Sequence, residues 1–156
     1  MTRLAAFKIP SFLFFLSFIF LSGCNNAIQP ENRIYQKISP YDYEDTLMNL
    51  DIAISEHNYR IIHRSNIGQA IRDRGDKDYP LSTVISFCNI SYAKEMIEIN
   101  SDLLNDMPCI VTVQEQQDKV IIGTRLMKIN SANQQQNEFA QRINNNLTSI
   151  VESAIE

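Results

Sequence analysis

Residues 109–127, CIVTVQEQQDKVIIGTRLM, contain two β-rich runs separated by the polar residues EQQD. Apolar residues occupy most of the alternate positions in each run, which is typical of strands with one buried face. The apolar positions expected to face inward are Val111, Val113, Val120, Ile122 and Leu126. Two such runs joined by a short polar connection predict an antiparallel hairpin, and the pattern favours a sheet covered on one face only.

Three further β-rich runs precede the hairpin, at residues 33–38, 59–64 and 79–89. In the last of these, YPLSTVISFCN, alternation predicts one face formed by Leu81, Thr83, Ile85 and Phe87. Together with the hairpin, these runs predict five strands.

Helical spacing of apolar residues appears between the strands and after the hairpin. The first helix is predicted to begin at Ser39-Pro40, with serine as the N-cap and proline in the first turn. Asn58 is expected to end this helix in a left-handed conformation. Ser91 is the predicted N-cap of a second helix, and the last helix is expected from about 132 to 155.

Residues 65–75, SNIGQAIRDRG, are ambiguous and fit one or two helical turns closed by Gly75. The predicted order is therefore strand, helix, several strands, helix, strands and helix. This order predicts an α+β fold, a mainly antiparallel sheet with helices packed on one face. Residues 33–156 are long enough to form such a domain with its own core.

Residues 1–23 have the three-part layout of a secretory signal peptide. Arg3 and Lys8 make a basic start, and residues 9–21 are uncharged and mostly apolar. The apolar run is shorter than the roughly 20 residues that a membrane-spanning helix needs. We therefore interpret this segment as a signal peptide.

The run Leu21-Ser22-Gly23-Cys24 resembles the bacterial lipobox. The resemblance implies that Cys24 carries a diacylglycerol, that the chain is cut before it, and that its new amino group receives an acyl chain such as palmitate. Two or more acyl chains anchor a protein stably to a membrane. Residues 24–32 would then form the lipidated cysteine and a tether. The residue after Cys24 is Asn25, not the aspartate that retains such lipoproteins in the inner membrane. This favours the periplasmic face of the outer membrane in a Gram-negative host.

The charge of the chain argues against nucleic acid as a partner. The formal net charge is −4, and removal of residues 1–23 lowers the basic count from 14 to 12 against 18 acidic residues, a charge of −6. Nucleic-acid binding needs a basic face that neutralises phosphates. The expected partners are the membrane, through the acyl chains on Cys24, and an unknown protein or small-molecule ligand.

Three segments together resemble the bacterial family called domain of unknown function 302. They are IGQAIRDRG (67–75), YPLSTVISFCN (79–89) and MPC (107–109), and a hydrophobic hairpin follows them. The resemblance spans about residues 33–127. It implies a TATA-binding-protein-like architecture of strand, helix, four strands and helix, here with an extra helical insertion, and it makes a homodimer possible. It implies no catalytic residue and no substrate.

Cys88 and Cys109 are the candidate functional or disulfide residues of the domain. Alternation places Cys109 on the face of Val111 and Val113, whereas Cys88 is in step with Ser86 on the opposite face. Three interpretations remain: buried thiols, a structural disulfide in an oxidising compartment, or a reactive redox pair. The spacing lacks the Cys-x-x-Cys pattern that lowers a thiol pKa.

Other polar motifs give weaker hypotheses. Arg72 and Arg74 are candidate contacts for an anion, although their mixed-charge run is more typical of an exposed turn. His57 and His63 lack zinc-type spacing, so no metal or cofactor is predicted. Tyr41, Tyr43 and Tyr59 fit either core packing or the wall of a pocket.

The sequence as a whole indicates an envelope lipoprotein of unknown biochemical activity. With no catalytic constellation in view, a non-enzymatic binding or scaffold module is the leading hypothesis. A thiol-based redox enzyme or sensor that uses Cys88 and Cys109 is the alternative.

Overall fold

The computed structural model describes residues 32–156. The predicted signal peptide, Cys24 and all of the tether except Asn32 lie outside the described residues. The strands are β1 (Ile34–Ser39), β2 (Arg60–Asn66), β3 (Ser82–Cys88), β4 (Cys109–Gln116) and β5 (Lys119–Arg125). The helices are α1 (Tyr43–Glu56), α2 (Ile67–Arg72), α3 (Ile90–Ile99) and α4 (Gln134–Ser153), with a 3₁₀ helix at Ser101–Asp106.

The five strands form one antiparallel sheet in the order β1-β5-β4-β3-β2. The α+β prediction is confirmed, and so is the hairpin of β4 and β5. Its turn is shorter than the predicted EQQD, because Gln116 already pairs with Lys119. Only Gln117 and Asp118 form the turn, and both have positive φ angles, 48° and 62°.

Helices α1 and α4 contact each other and lie against the sheet. The alternation predicted for β3 is confirmed, because Thr83, Ile85 and Phe87 are buried while the positions between them are partly exposed. In α4, Phe139, Ile143, Leu147, Ile150, Val151 and Ala154 are all buried, as the helical spacing predicts.

The predicted start of the first helix is wrong. Ser39 is the last residue of β1 and pairs with Val120, and its hydroxyl bonds the Thr46 hydroxyl at 2.7 Å. The N-cap of α1 is Asp42, whose carboxylate accepts from the Asp45 N–H at 2.9 Å. A carboxylate at this position satisfies a free N–H and favours the positive end of the helix, so the helix begins three residues later.

The predicted N-cap of the second helix is also wrong. Asn89 caps α3, since its side-chain oxygen accepts from the N–H groups of Ser91 at 2.9 Å and Tyr92 at 3.2 Å. Ser91 therefore lies within the first turn and is a donor to the cap rather than the cap itself.

Three local predictions are confirmed. Asn58 has a φ of 61° after α1, and Gly75 has a φ of 117° after α2. Residues 67–72 of the ambiguous stretch form the short helix α2. The last helix is close to its predicted range, with Asn133 as its N-cap through the Gln136 N–H at 3.2 Å.

Among the helices of residues 32–156, α4 is the longest, with 20 residues, and its outer positions are rich in asparagine and glutamine. From residue 32 onward, no helix combines the length and the apolar character needed to cross a membrane.

Candidate functional site

A small cavity lies where β3 ends and β4 begins, beside α3 and α4. Its volume is about 40 Å³, whereas one water molecule needs roughly 10–15 Å³ by the same measure. Much of the wall is aromatic or aliphatic: Tyr59, Tyr92, Ile110, Phe139, Ile143 and Leu147. The cavity therefore has room for only a few heavy atoms in mainly apolar surroundings.

Sulfur-bearing side chains make up a large part of the same wall: Cys88, Met96, Met107, Cys109 and Met127. Only one other sulfur-bearing residue occurs within residues 32–156, and that residue is Met48, which is exposed on α1. The five come from the end of β3, from α3, from the segment before β4, from β4 and from the segment after β5. Folding thus brings into one cavity wall five sulfur-bearing side chains that are spread over 40 residues of sequence.

Cys109 and Cys88 both line this cavity, although alternation predicts opposite faces for them. Cys109 pairs with Phe87 and shares the buried face of Val111. Cys88 is the last residue of β3, and the chain turns at Asn89 into α3. Both thiols are free, and each is partly buried.

Burial raises the pKa of both thiols. The pKa of Cys109 rises to about 11, because burial and the neighbouring Cys88 outweigh the opposing effects of its own backbone and the Arg125 guanidinium. The pKa of Cys88 is also raised by burial. With raised pKa values, both thiols stay protonated near neutral pH. A nucleophilic cysteine needs the opposite, a lowered pKa.

Tyr59 contributes to the core and to the cavity wall at once. Its ring meets Phe87 edge-on with 5.3 Å between centroids, and it lies 5.9 Å from the Tyr92 ring. Its hydroxyl accepts from the Asn146 side-chain amide at 3.2 Å. Burial raises the pKa of Tyr59 to about 12, against the opposing effect of that hydrogen bond.

Two charged side chains also line the cavity, Arg125 and Asp106. Asp106 lies 3.9 Å from the Arg33 guanidinium. Arg125 is the last residue of β5, and its guanidinium is near enough to Cys109 to favour the thiolate. A positive charge therefore lies beside the sulfur of the more strongly perturbed thiol.

The two other candidate tyrosines and the candidate anion contacts lie elsewhere. Tyr41, Tyr43 and Arg72 line an open hollow of about 770 Å³ at the opposite end of the sheet. Arg72 donates from Nε to the Tyr79 carbonyl at 2.6 Å and from Nη2 to Glu115 at 3.4 Å. Arg74 is exposed after α2. The structure thus engages Arg72 in contacts within the chain and does not bring Arg74 into that hollow.

Neither histidine lines the cavity. His57 Nδ1 lies 2.8 Å from the Ala53 carbonyl, and His63 Nε2 lies 3.0 Å from the Ser65 hydroxyl. The sheet register places Ser86 opposite His63. In the part of the chain that the structure describes, no three His, Cys, Asp or Glu side chains come together to hold a metal ion.

Sequence reasoning found the two cysteines but missed the methionines that surround them. Met96 is recognisable in the sequence only as an apolar position of a helix. No spacing rule relates Met96 to Met107 or Met127, because the three methionines reach the cavity from different parts of the fold. The contacts between those elements are what assemble the site.

Comparison with known proteins concerns the domain as a whole. The family described as domain of unknown function DUF302 matches residues 35–154, which extends the expected resemblance beyond residue 127 to include α4. A crystal structure titled as an uncharacterized conserved protein DUF302 from Bacillus stearothermophilus superimposes with a TM-score of 0.71 at 13% identity. The match covers 79% of this chain and 98% of that chain, and it shows the fold. No curated protein matches the sequence.

Proposed function

The chain belongs to the family described as domain of unknown function DUF302, and from this premise we propose a lipid-anchored binding module of the cell envelope. In this proposal the domain is not an enzyme. Its ligand binds in the cavity between the end of β3, α3 and α4. The observation that carries the proposal is an apolar cavity whose wall is richer in sulfur and aromatic groups than the rest of the domain.

The size of the cavity restricts the ligand. Sites for drug-sized molecules have volumes of roughly 300–1,000 Å³, which far exceeds the about 40 Å³ observed here. The ligand is therefore an ion, a molecule of a few heavy atoms, or one short apolar group of a larger partner. Raised thiol pKa values favour binding over catalysis, because a nucleophilic cysteine needs a lowered pKa.

Native mass spectrometry of the protein purified from its own membranes tests the binding proposal. We expect a bound species on the wild-type domain that is lost in Ala93→Leu, because Ala93 lines the cavity and a larger side chain fills it. Ser91→Leu, two residues earlier on α3 and exposed, is the matched control and should keep the species. Protein without any bound species, or equal occupancy in both variants, would refute the binding proposal.

The lipid anchor is supported by the run Leu21-Ser22-Gly23-Cys24 and by the apolar segment before it. The intact mass of membrane-extracted protein should equal residues 24–156 plus acyl groups, and Cys24→Ser should abolish the acyl mass. A mass that includes residues 1–23 would mean a retained segment and would exclude this anchor. Localisation at the periplasmic face of the outer membrane is part of the same proposal, on the grounds of Asn25.

Partners of the module are proposed from charge and from the sheet edges. The acidic net charge disfavours nucleic acid as a partner.

A homodimer is proposed through β1, an edge strand whose register with β5 is continuous over all six residues. The other edge strand, β2, carries an irregularity between Ile61 and His63, and such bulges protect an edge from pairing.

A thiol-based redox enzyme or sensor is the second candidate. The observation in its favour is that Cys88 and Cys109 line one cavity and that Cys88 contributes to the raised pKa of Cys109. It requires one thiol that reacts rapidly in the folded protein. Fast maleimide labelling of either cysteine under native conditions would support it, whereas labelling that needs unfolding would eliminate it.

A further inference from the structure

We propose that the cavity is a site for a soft monovalent metal ion, Cu(I), held by the sulfur atoms of Cys88, Cys109 and the surrounding methionines. This inference rests on the proposed binding function and names its ligand. The observation behind it is that five of the six sulfur-bearing side chains within residues 32–156 line a single cavity.

The donor set determines which metal fits. Thiolate and thioether sulfurs are soft ligands, and they select Cu(I) over hard cations such as Mg²⁺ or Ca²⁺, which need carboxylate or carbonyl oxygens. Structural zinc sites take four ligands from cysteine and histidine. Here two cysteines line the cavity, and both histidines lie elsewhere. The other sulfur donors are thioethers, and the one carboxylate of the wall, that of Asp106, lies 3.9 Å from the Arg33 guanidinium.

Methionines in such a wall have a simpler explanation, because flexible thioethers also fill irregular apolar sites that bind organic ligands. Two observations favour the metal. A cavity of about 40 Å³ has space for an ion but not for an organic molecule of typical size. In addition, both cysteines of the domain join the methionines, whereas the exposed methionine, Met48, lies apart from the cavity.

Binding involves no change of oxidation state. Each thiol that binds the ion loses its proton to solvent, and the electron pair of the thiolate forms the metal–sulfur bond. Two thiolates and one Cu⁺ leave a net charge of −1 in mostly apolar surroundings, where an uncompensated charge is costly. Of the two charged side chains in the wall, Asp106 lies 3.9 Å from the Arg33 guanidinium, which leaves Arg125 to supply the compensating positive charge.

Titration of the reduced protein with Cu(I), in competition with a chromogenic Cu(I) chelator, tests the inference. A chain of residues 24–156 with Cys24→Ser is used throughout, so that Cys88 and Cys109 supply its two thiols. We expect one Cu(I) per chain and a shell of sulfur atoms alone in X-ray absorption. Cys88→Ser or Cys109→Ser should weaken binding by at least about 100-fold, since even residues behind the ligands change metal affinity by about 10–100-fold.

Methionine variants protect the test against misfolding of a cysteine variant. Met→Leu conserves volume and usually costs little stability, so Met107→Leu and Met127→Leu should fold and still weaken Cu(I) binding, by about 10-fold each. Met48→Leu is the matched control, because Met48 is exposed on α1, and its affinity should equal that of the parent.

Two results would overturn the metal proposal. One is Cu(I) affinity that is unchanged in both cysteine variants and both methionine variants. The other is an absorption spectrum with nitrogen or oxygen ligands. If native mass spectrometry still detected a non-metal species that Ala93→Leu removes, the binding module would stand and only the identity of its ligand would be wrong. If neither experiment detected a bound species, both proposals would fail together.

Discussion

Gly68 shows how a single residue sets the distance between two segments. It lies in α2, directly against the chain that leads into β3. A Cβ atom at this position would lie 2.5 Å from the Pro80 carbonyl oxygen and 2.5 Å from the Ser82 nitrogen. Both are backbone atoms, so no flexible side chain can move aside to make room.

Gly68→Ala is therefore expected to destabilise the domain by about 1–3 kcal/mol, the usual cost of overpacking. Urea unfolding measures the change. Gln69→Ala, at the exposed neighbouring position of the same helix, is the control and should change stability far less. A Gly68→Ala domain as stable as the wild type would mean that α2 moves freely away from β3.

The buried hydroxyl of Tyr59 is expected to make the stability of the domain depend on pH. Its pKa is raised to about 12, because burial disfavours the phenolate. The folded state thus holds this proton more tightly than the unfolded state, whose pKa is about 10. The resulting stabilisation is complete below pH 10 and is lost as the pH rises from about 10 towards 12.

Urea unfolding between pH 9 and pH 11.5 tests this expectation by comparison of wild type with Tyr59→Phe. The wild type should lose stability more steeply with pH above about 10. The variant lacks the ionising hydroxyl, and it also loses the Asn146 hydrogen bond, which should lower its stability at neutral pH by about 0.5–1.5 kcal/mol. Parallel pH profiles for the two proteins would assign the alkaline loss to other groups.

At the scale of elements, the β4–β5 hairpin is determined by its pattern but closed by an unfavourable turn. Gln117 and Asp118 both adopt positive φ angles, which matches the type I′ turn that suits the twist of a two-residue hairpin. That turn favours Asn followed by Gly, because other residues meet steric resistance at positive φ. The stability of the hairpin therefore depends on its strands more than on its turn.

Replacement of both turn residues, Gln117→Asn with Asp118→Gly, should raise the free energy of unfolding by about 0.5–2 kcal/mol. Thermal and urea unfolding both measure this gain. Gln116→Asn, one position before the turn and within β4, removes the same methylene without relieving strain and should give no gain. A neutral or negative effect of the double replacement would show that the present turn is not strained.

At the scale of the whole molecule, β1 is the edge strand through which we propose that two copies of the domain pair. β1 carries two exposed isoleucines on one face, Ile34 at 50% and Ile38 at 56% exposure. Its Lys37 side chain is turned to Glu152 on α4 at 3.2 Å and so is not free to guard the edge. Unpaired edges with apolar side chains are prone to pair with another strand.

The homodimer proposal predicts a dimer in sedimentation equilibrium for the mature wild-type chain. Ile34→Lys with Ile38→Lys should shift it to monomer, because four charges would meet across the paired edges. Met48→Lys, an equally exposed position on α1, is the control and should stay dimeric. A wild type that is monomeric at all concentrations, or a double variant that remains dimeric, would disprove pairing through β1.

Most of the strands and helices, and most of their inward faces, follow from the pattern of apolar residues alone. Alternation in β3 and β4 and helical spacing in α4 depend only on which side chains avoid water, so Phe87, Val111 and Leu147 are recognisable before any contact is known. Helix starts were less predictable. Two residues near each helix start can act as an N-cap: Ser39 or Asp42 for α1, and Asn89 or Ser91 for α3. The pairing of Ser39 within the sheet and the local hydrogen bonds determine which residue caps the helix.

The cavity, in contrast, forms only when the elements pack together. Cys88 and Cys109 fall on opposite faces by strand alternation, yet they share a cavity because β3 ends there and the chain turns into α3. Met96, Met107 and Met127 have no common spacing, since each reaches the cavity from a different element. The periodicity of a helix or strand shows which of its own side chains face the core and which face water. The ends of several elements meet through packing alone, and that packing brings the five sulfur-bearing side chains into the wall of one cavity.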